Sequence, residues 1–403
     1  MAEALDPPRA PPPPLALLIA LAAFGPMSID LYLPSLPRMM QVFGTDVSHV
    51  QLTLSVYLVG FALAQLVYGP LSDRYGRRPL LLAGIVLYGL ASIFCFCAVS
   101  VEMLILARFL QALGACAGPV LARAIVRDSF ARDQAARVMA SMASVMALAP
   151  AVAPMVGGHL LVLFGWRANF ALLIGFSVIM LLLVGLALRE TNLHPNLHAL
   201  HPGTVLRNYL SLLGNRAFLG YCLTISFTFS AMFAFISGAS FVIIGLLRVA
   251  PEHFGYCFLG VVAGFMAGSI IAARFGHRLG LEGMVAAGSL IGLVAGLVLL
   301  GLVLAGQVLV ATVVLPMAGI FLAAGIVLPN CTALAIAPHA RIAGSASALL
   351  GFIQMSVASL MGGLVGRLDN GTALPMAGMV ACCAALAALV RWRLTGSGRP
   401  CRI

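Results

Sequence analysis

Twelve runs of about twenty apolar residues follow one another along this chain, and that spacing limits what it can fold into. They lie near 15–37, 50–70, 79–99, 101–123, 137–163, 168–188, 217–246, 254–274, 282–305, 307–331, 342–365 and 372–392. About twenty residues at ~1.5 Å each cross the ~30 Å of hydrocarbon in a bilayer as an α-helix. Of the 403 residues, 62% are hydrophobic and 9% charged, more apolar surface than a water-soluble domain can bury. The fold class this predicts is an all-α, multi-pass membrane protein. The lipid bilayer is its first partner. A cleaved signal peptide is disfavoured for the first run. The tail before it sets one Arg9 against Glu3 and Asp6, and no small-residue cleavage site closes it.

Arginine sets the expected orientation. The chain has no lysine, so all 23 basic residues are Arg. With the N-terminus inside, the outer connections carry only Arg38, Arg167, Arg248 and Arg367. Most of the rest lie on the opposite side, which predicts that both termini are cytoplasmic. The net charge of +11 then reflects topology and anionic lipid head groups. A nucleic-acid partner would need a basic soluble face with motif support, and none is present. The nine cysteines read as small buried hydrophobes. No His/Cys spacing predicts a zinc site, and the three histidines of HPNLHALH (194–201) are at most a weak metal site.

The predicted organisation is a disordered tail over 1–14, a six-helix unit over 15–188, a cytoplasmic loop over 189–216, a second six-helix unit over 217–392 and a cytoplasmic tail over 393–403. The halves echo each other. RYGRR (74–78) follows the second run and RFGHR (274–278) follows the eighth. MVGG closes the fifth run, and LMGG lies late in the eleventh. Internal repeats of this kind build transporters in which two bundles rock about a central site.

GPLSDRYGRRP (69–79) resembles the signature loop between helices two and three of the major facilitator superfamily, and RFLQALGA (108–115) resembles its fourth-helix motif. APAVAPMVGG (149–158) is similar to the fifth-helix antiporter motif of its drug exporters. DLYLPSLP, ARAIVRD, GWRANF, PEHFG and GSASALLGFIQ together look like the Bcr/CflA group of bacterial drug efflux proteins. The resemblance covers about 30 to 370 and implies a major facilitator fold, twelve transmembrane helices in two six-helix bundles, in the bacterial inner membrane. It also implies export of drug-like compounds in exchange for protons. The departures are Ala153 where a Gly is usual, Ala273 at the position matching Asp73, and GASFV (238–242) in place of Ser-Pro-Phe-Val.

Beside that resemblance, each motif has a physical reading. Gly69, Asp73, Arg74, Gly76, Arg77 and Arg78 are expected to form a latch, with Gly69 allowing a close helix approach, Gly76 a tight turn, and Asp73 facing a helix N-terminus of the other half. Simple anchoring accounts for the three arginines but not for Asp73 or the glycines. Pro150, Pro154, Gly157 and Gly158 are expected to bend helix five and thin one face, so that helices close at the outer end.

Asp30 stands about 10 Å below the outer boundary, and Arg108 about 12 Å below it, with Gln111 on the same helix face. A charge at that depth costs at least a few kcal/mol unless paired or hydrated. Burial disfavours a charged Asp30 and a nearby Arg108 favours it. If that balance changes with conformation, Asp30 couples protons to movement. The alternatives are a packing carboxylate bonded to backbone or Tyr32, or a partner for a cationic drug. The expected substrate cavity is Tyr32, Tyr57, Phe61, Gln65, Gln111, Met142, Met146, Phe229, Phe233 and Gln354.

The leading expectation is a monomeric proton-driven exporter of small hydrophobic molecules, with a proton gradient and no cofactor. A proton-coupled carrier of one metabolite and a non-transport receptor are the alternatives. An enzyme is not expected, because no nucleophile–base set, GxxxxGK[ST] loop or metal motif occurs.

Overall fold

The computed structural model describes residues 10–193 and 202–395. Residues 1–9 and 396–403 of the tails predicted over 1–14 and 393–403, and the histidine cluster, lie outside them. Among the described residues nine helices are long and apolar enough to cross a membrane, and the bent pair Leu15–Ala22 and Phe24–Phe43 makes ten. The two longest stretches each cross twice, which gives twelve spans. Phe254–Leu304 holds 51 residues, about 76 Å of helix, and it breaks at Gly280, whose φ is 69°. Between Val310–Ile336 and Ala343–Arg367 a 3₁₀ turn runs over Ala337–Ile342, with His339 non-helical.

Spans 1 to 6 are Leu15–Phe43, Val47–Tyr75, Arg77–Phe96, Val101–Ser129, Arg132–Phe164 and Arg167–Ala187. Span 7 is Arg216–Ser240, continued by a π turn over Phe241–Leu246. Spans 8 and 9 lie on either side of Gly280, spans 10 and 11 on either side of the 3₁₀ turn, and span 12 is Leu374–Val390. Span 1 is longer than its apolar run and bends by 42° between Ala22 and Phe24. Pro26 has no N–H for the carbonyl of Ala22, so the helix is weakest there.

The segment expected as a loop, 189–216, contains a helix at Pro202–Leu213. Its Leu212 is buried beside Phe218 and Ile225, with Tyr209 against the same cluster. Apolar residues three or four apart in an otherwise polar stretch made this short helix possible.

Some polar side chains inside the bundles are satisfied within their own helix. In span 7 the hydroxyls of Thr224, Ser226, Thr228 and Ser230 each donate to the carbonyl four residues back, at 2.6–2.8 Å. Such bonds let a buried hydroxyl sit in an apolar setting without a partner helix. Asp46 caps span 2 by accepting from the His49 amide at 2.8 Å. That amide and the His49 ring hold the Asp46 carboxyl below its ordinary range.

The side-chain hydrogen bonds that join the halves lie toward the arginine-poor end. Ser240 Oγ donates to Leu33 O at 2.6 Å, Gln51 Nε2 to Ser237 O at 2.9 Å, and Ser359 Oγ to Ser55 O at 2.7 Å. Spans 2 and 11 form the longest seam, which extends to Gln65 against Gly351.

Candidate functional site

A cavity of about 270 Å³ lies between the halves. Spans 1, 2, 4 and 5 wall it on one side, and spans 7, 10 and 11 on the other. Of the expected wall, Phe61, Gln65, Met146, Phe229 and Phe233 line it, joined by Pro150. Met232, Ile236, Phe321 and Met355 also line it and were missed. Asp30 opens onto this space while only 3% exposed. Its carboxyl has no hydrogen bond or ion pair with any described residue. Tyr32, the alternative partner, instead shares a 2.6 Å hydrogen bond with Thr53 Oγ1.

The expected shared cavity of Asp30 and Arg108 is not formed. Arg108 is fully buried behind the wall. Its guanidinium carbon lies 4.4 Å from the ring centroids of both Tyr32 and Tyr57. Nη1 donates to Gln111 Oε1 and Nη2 to Ser28 O at 2.9 Å. Gln111 in turn donates to Ser92 Oγ at 2.8 Å, and Ser28 Oγ bonds Tyr88 OH at 2.8 Å. Depth along a helix placed Arg108 and Asp30 at one level, but rotation about the helix turns Arg108 into the first bundle. Two aromatic faces and a carbonyl stabilise the cation there without a carboxylate, each face contributing about 1–2 kcal/mol when desolvated. Tyr32, Tyr57 and Gln111 therefore form this polar core and not the cavity wall. Met142 is buried in packing, and Gln354 lies off the wall that its neighbour Met355 joins.

The 69–79 loop binds its own half. Arg77 Nη1 donates to Asp73 Oδ1 and Ser72 Oγ at 2.5 Å, and its Nε to Asp128 Oδ2 at 2.9 Å. Glu190, after span 6, accepts from the backbone N–H of Arg77 at 2.9 Å and of Arg78 at 3.0 Å. Arg78 Nη2 reaches Gly185 O at 2.8 Å. Arg74 stands over the Tyr75 ring on the exposed side. The expected contact of Asp73 and Gly69 with the other half is not made. The Asp73 side chain is about half exposed, and a Cβ at Gly69 would meet nothing within 4 Å. This is the side away from the hydrogen bonds that join the halves, so the groups that would meet are apart.

Gly76 fits the tight-turn reading, with a φ of 98° and Glu190 Oε2 2.7 Å from where a Cβ would stand. Glu190 cannot easily move, because it also accepts from the N–H groups of Thr191 and Asn192. Gly76→Ala is expected to cost at least about 1–3 kcal/mol through backbone strain. A lowered thermal unfolding midpoint of the purified protein would register it; an unchanged midpoint would contradict it.

At the other end, Gly157 and Gly158 of helix five lie close against backbone of other elements. A Cβ at Gly157 would stand 1.7 Å from Leu31 O, and one at Gly158 2.2 Å from Pro251 O, at the start of span 8. Pro150 and Pro154 lie inside the same continuous helix, with Pro150 on the cavity wall.

Two helical halves around one apolar cavity, closed at one end and tied within themselves at the other, define a polytopic membrane transporter. The sequence profile of the Major Facilitator Superfamily matches residues 17–363, and the chain belongs to that family, as a Bcr/CflA-like member. It is 36% identical over 381 residues to an uncharacterized MFS-type transporter, YdgK, of Bacillus subtilis (strain 168), covering 94% of each chain. It is 31% identical over 382 residues to a bicyclomycin resistance protein homolog of Haemophilus influenzae, covering 93% of this chain and 94% of that one. Its fold matches a bacterial homolog of the human lysosomal transporter Spinster, with a TM-score of 0.74 at 15% identity, over 96% of this chain and 98% of the other. The cargo is accordingly a small molecule and the setting a membrane.

Proposed function

We propose that this transporter exports drug-like, mostly hydrophobic small molecules from the cytoplasm of a bacterium in exchange for protons, by alternating access. The observation that carries the reading is Asp30, a carboxyl without a partner among the described residues, on the wall of an otherwise largely apolar cavity between the halves. An apolar wall suits varied hydrophobic cargo better than one polar metabolite, whose hydroxyls would demand fixed partners. A carboxyl that no described residue neutralises is free to exchange its proton when the cavity opens to either side. The resistance name of the Haemophilus influenzae relative supports the same direction.

With the arginine-rich side taken as cytoplasmic, the conformation is inward-facing, with Asp73 waiting for the other half. Arg108 holds the first bundle together, so protons and cargo meet at Asp30 and not at an Asp30–Arg108 pair. The direct test is a purified monomeric or oligomeric preparation in liposomes under an imposed pH gradient. Cargo movement against its gradient, coupled to proton flow, is expected. Equilibration of cargo that ignores the pH gradient would refute the reading.

Asp73→Asn is expected to slow turnover several-fold while cargo affinity stays within about twofold. Arg77 keeps Asp128 as a partner in this state, whereas a contact of Asp73 with the other half can form only when the arginine-rich side closes, so the loss weighs more on the closed state. Labelling of a cysteine on the outer side of the cavity by an impermeant reagent should fall. Unchanged labelling with unchanged turnover would leave the loop as an anchor.

A further inference from the structure

We propose that Arg123 makes the central cavity selective for amphiphiles that carry an anionic group such as a carboxylate, and disfavours cationic ones. Arg123 lies in span 4 and lines the cavity between the halves. It is exposed there, in the last third of span 4 toward the arginine-rich end. It makes no hydrogen bond or ion pair with any described residue. A guanidinium has five N–H donors and no acceptor, so in this position its donors are left to water or cargo.

The rest of the wall does not offset that charge. Asp30, the other ionisable lining group, is 3% exposed, and no ion pair joins it to Arg123. Arg108 cannot share the task, because Tyr32 and Tyr57 cover it. Gln65 is a polar lining residue of neutral charge, and most of the others are apolar. One turn beyond Arg123, Arg127 is exposed and repeats the sign on the same helix face. A cargo oxygen that reaches Arg123 gains charge-assisted hydrogen bonds within low-dielectric walls. A cationic cargo meets the same guanidinium as a like charge.

The inference rests on the export reading only in taking this cavity as the cargo site. Its test is a binding measurement, which needs no proton coupling. Three probes share one fluorophore: dansylglycine with a carboxylate, dansylamide without charge, and dansylcadaverine with an ammonium. Purified wild-type protein in uncharged detergent is expected to bind dansylglycine at least about tenfold more tightly than dansylcadaverine. Arg123→Gln should bring that ratio to about one or below, and Arg123→Lys should keep a preference for the anion. Equal wild-type affinities, or a ratio that folded Arg123→Gln leaves unchanged, would overturn the proposal. If Arg123→Gln does not fold, the wild-type ratio and the Lys variant decide the matter. Binding with the predicted ratio but without transport driven by a pH gradient would refute the export reading and uphold this one. Failure of folded wild type to bind any of the three would overturn this proposal and leave the export reading to the liposome test.

Discussion

Asp30→Asn is expected to reduce pH-gradient-driven export to the level of protein-free liposomes while leaving the folded protein intact. The two halves of that expectation have separate grounds. Asn keeps the size of Asp and cannot release a proton, so the cavity is held in the equivalent of its protonated state. The Asp30 carboxyl has no hydrogen bond or ion pair among the described residues, so the substitution breaks none that the fold relies on. Replacing a buried ionisable group by a neutral isostere removes a desolvation cost instead of creating one. The purified variant should therefore unfold at or above the wild-type temperature and still bind cargo. Exchange of labelled for unlabelled cargo, which needs no net proton movement, should persist. Full proton-coupled transport by the variant would eliminate Asp30 as the coupling group, and loss of folded protein would give it a structural role.

The sequence exposed the parts of this fold that follow from one-dimensional rules. Apolar runs of membrane length predicted twelve spans, and the charged residue inside the first run marked the cavity. What it could not give was rotation about a helix axis. Arg108 and Asp30 were placed at matching depth, yet Arg108 faces Tyr32, Tyr57 and the Ser28 carbonyl. The same ambiguity put Tyr57 on the wall with Phe61 and Gln65, where only the latter two stand. In a membrane helix the apolar face does not distinguish lipid from interior, so periodicity carries little of this information.

Some of what was missed had a signal. Asp128 ends the ARAIVRD stretch, and Glu190 opens the polar connection after span 6. Both are acids at the ends of membrane helices, facing a side crowded with arginine. Their partners Arg77 and the backbone around Gly76 lie 51 and more than 110 residues away, so the pairing needed the fold. Arg123 sits in that same stretch, five residues before Asp128. Arg123 ends the fourth apolar run, so the sequence grouped it with the cytoplasmic arginines, and only the fold turns it to the cavity.

Gly158→Leu is expected to abolish transport by preventing closure of the arginine-poor end, without unfolding either half. In the closed arrangement a Cβ at Gly158 would stand 2.2 Å from Pro251 O and 3.0 Å from Pro251 C. Those are backbone atoms, so no rotamer change relieves the contact; a leucine fits only if spans 5 and 8 part. Met155 presses on Gly255 across the same interface, which leaves no slack nearby. The two partners belong to different halves, so they can separate while each bundle stays packed. The variant should occupy the state open at that end, with cargo turnover lost and thermal stability near wild type. A cysteine at Ser240, fully buried where it meets Leu33, reports the opening. With Cys97, Cys257, Cys382 and Cys401 replaced by serine, an impermeant maleimide should label Ser240→Cys only when Gly158→Leu is also present. Gly157→Leu is the contrast. Its Cβ would meet Leu31 O at 1.7 Å inside the first half, so folded protein should be lost instead of trapped. Wild-type turnover in Gly158→Leu, or a cysteine at 240 that stays unlabelled, would show that the halves do not separate at this contact.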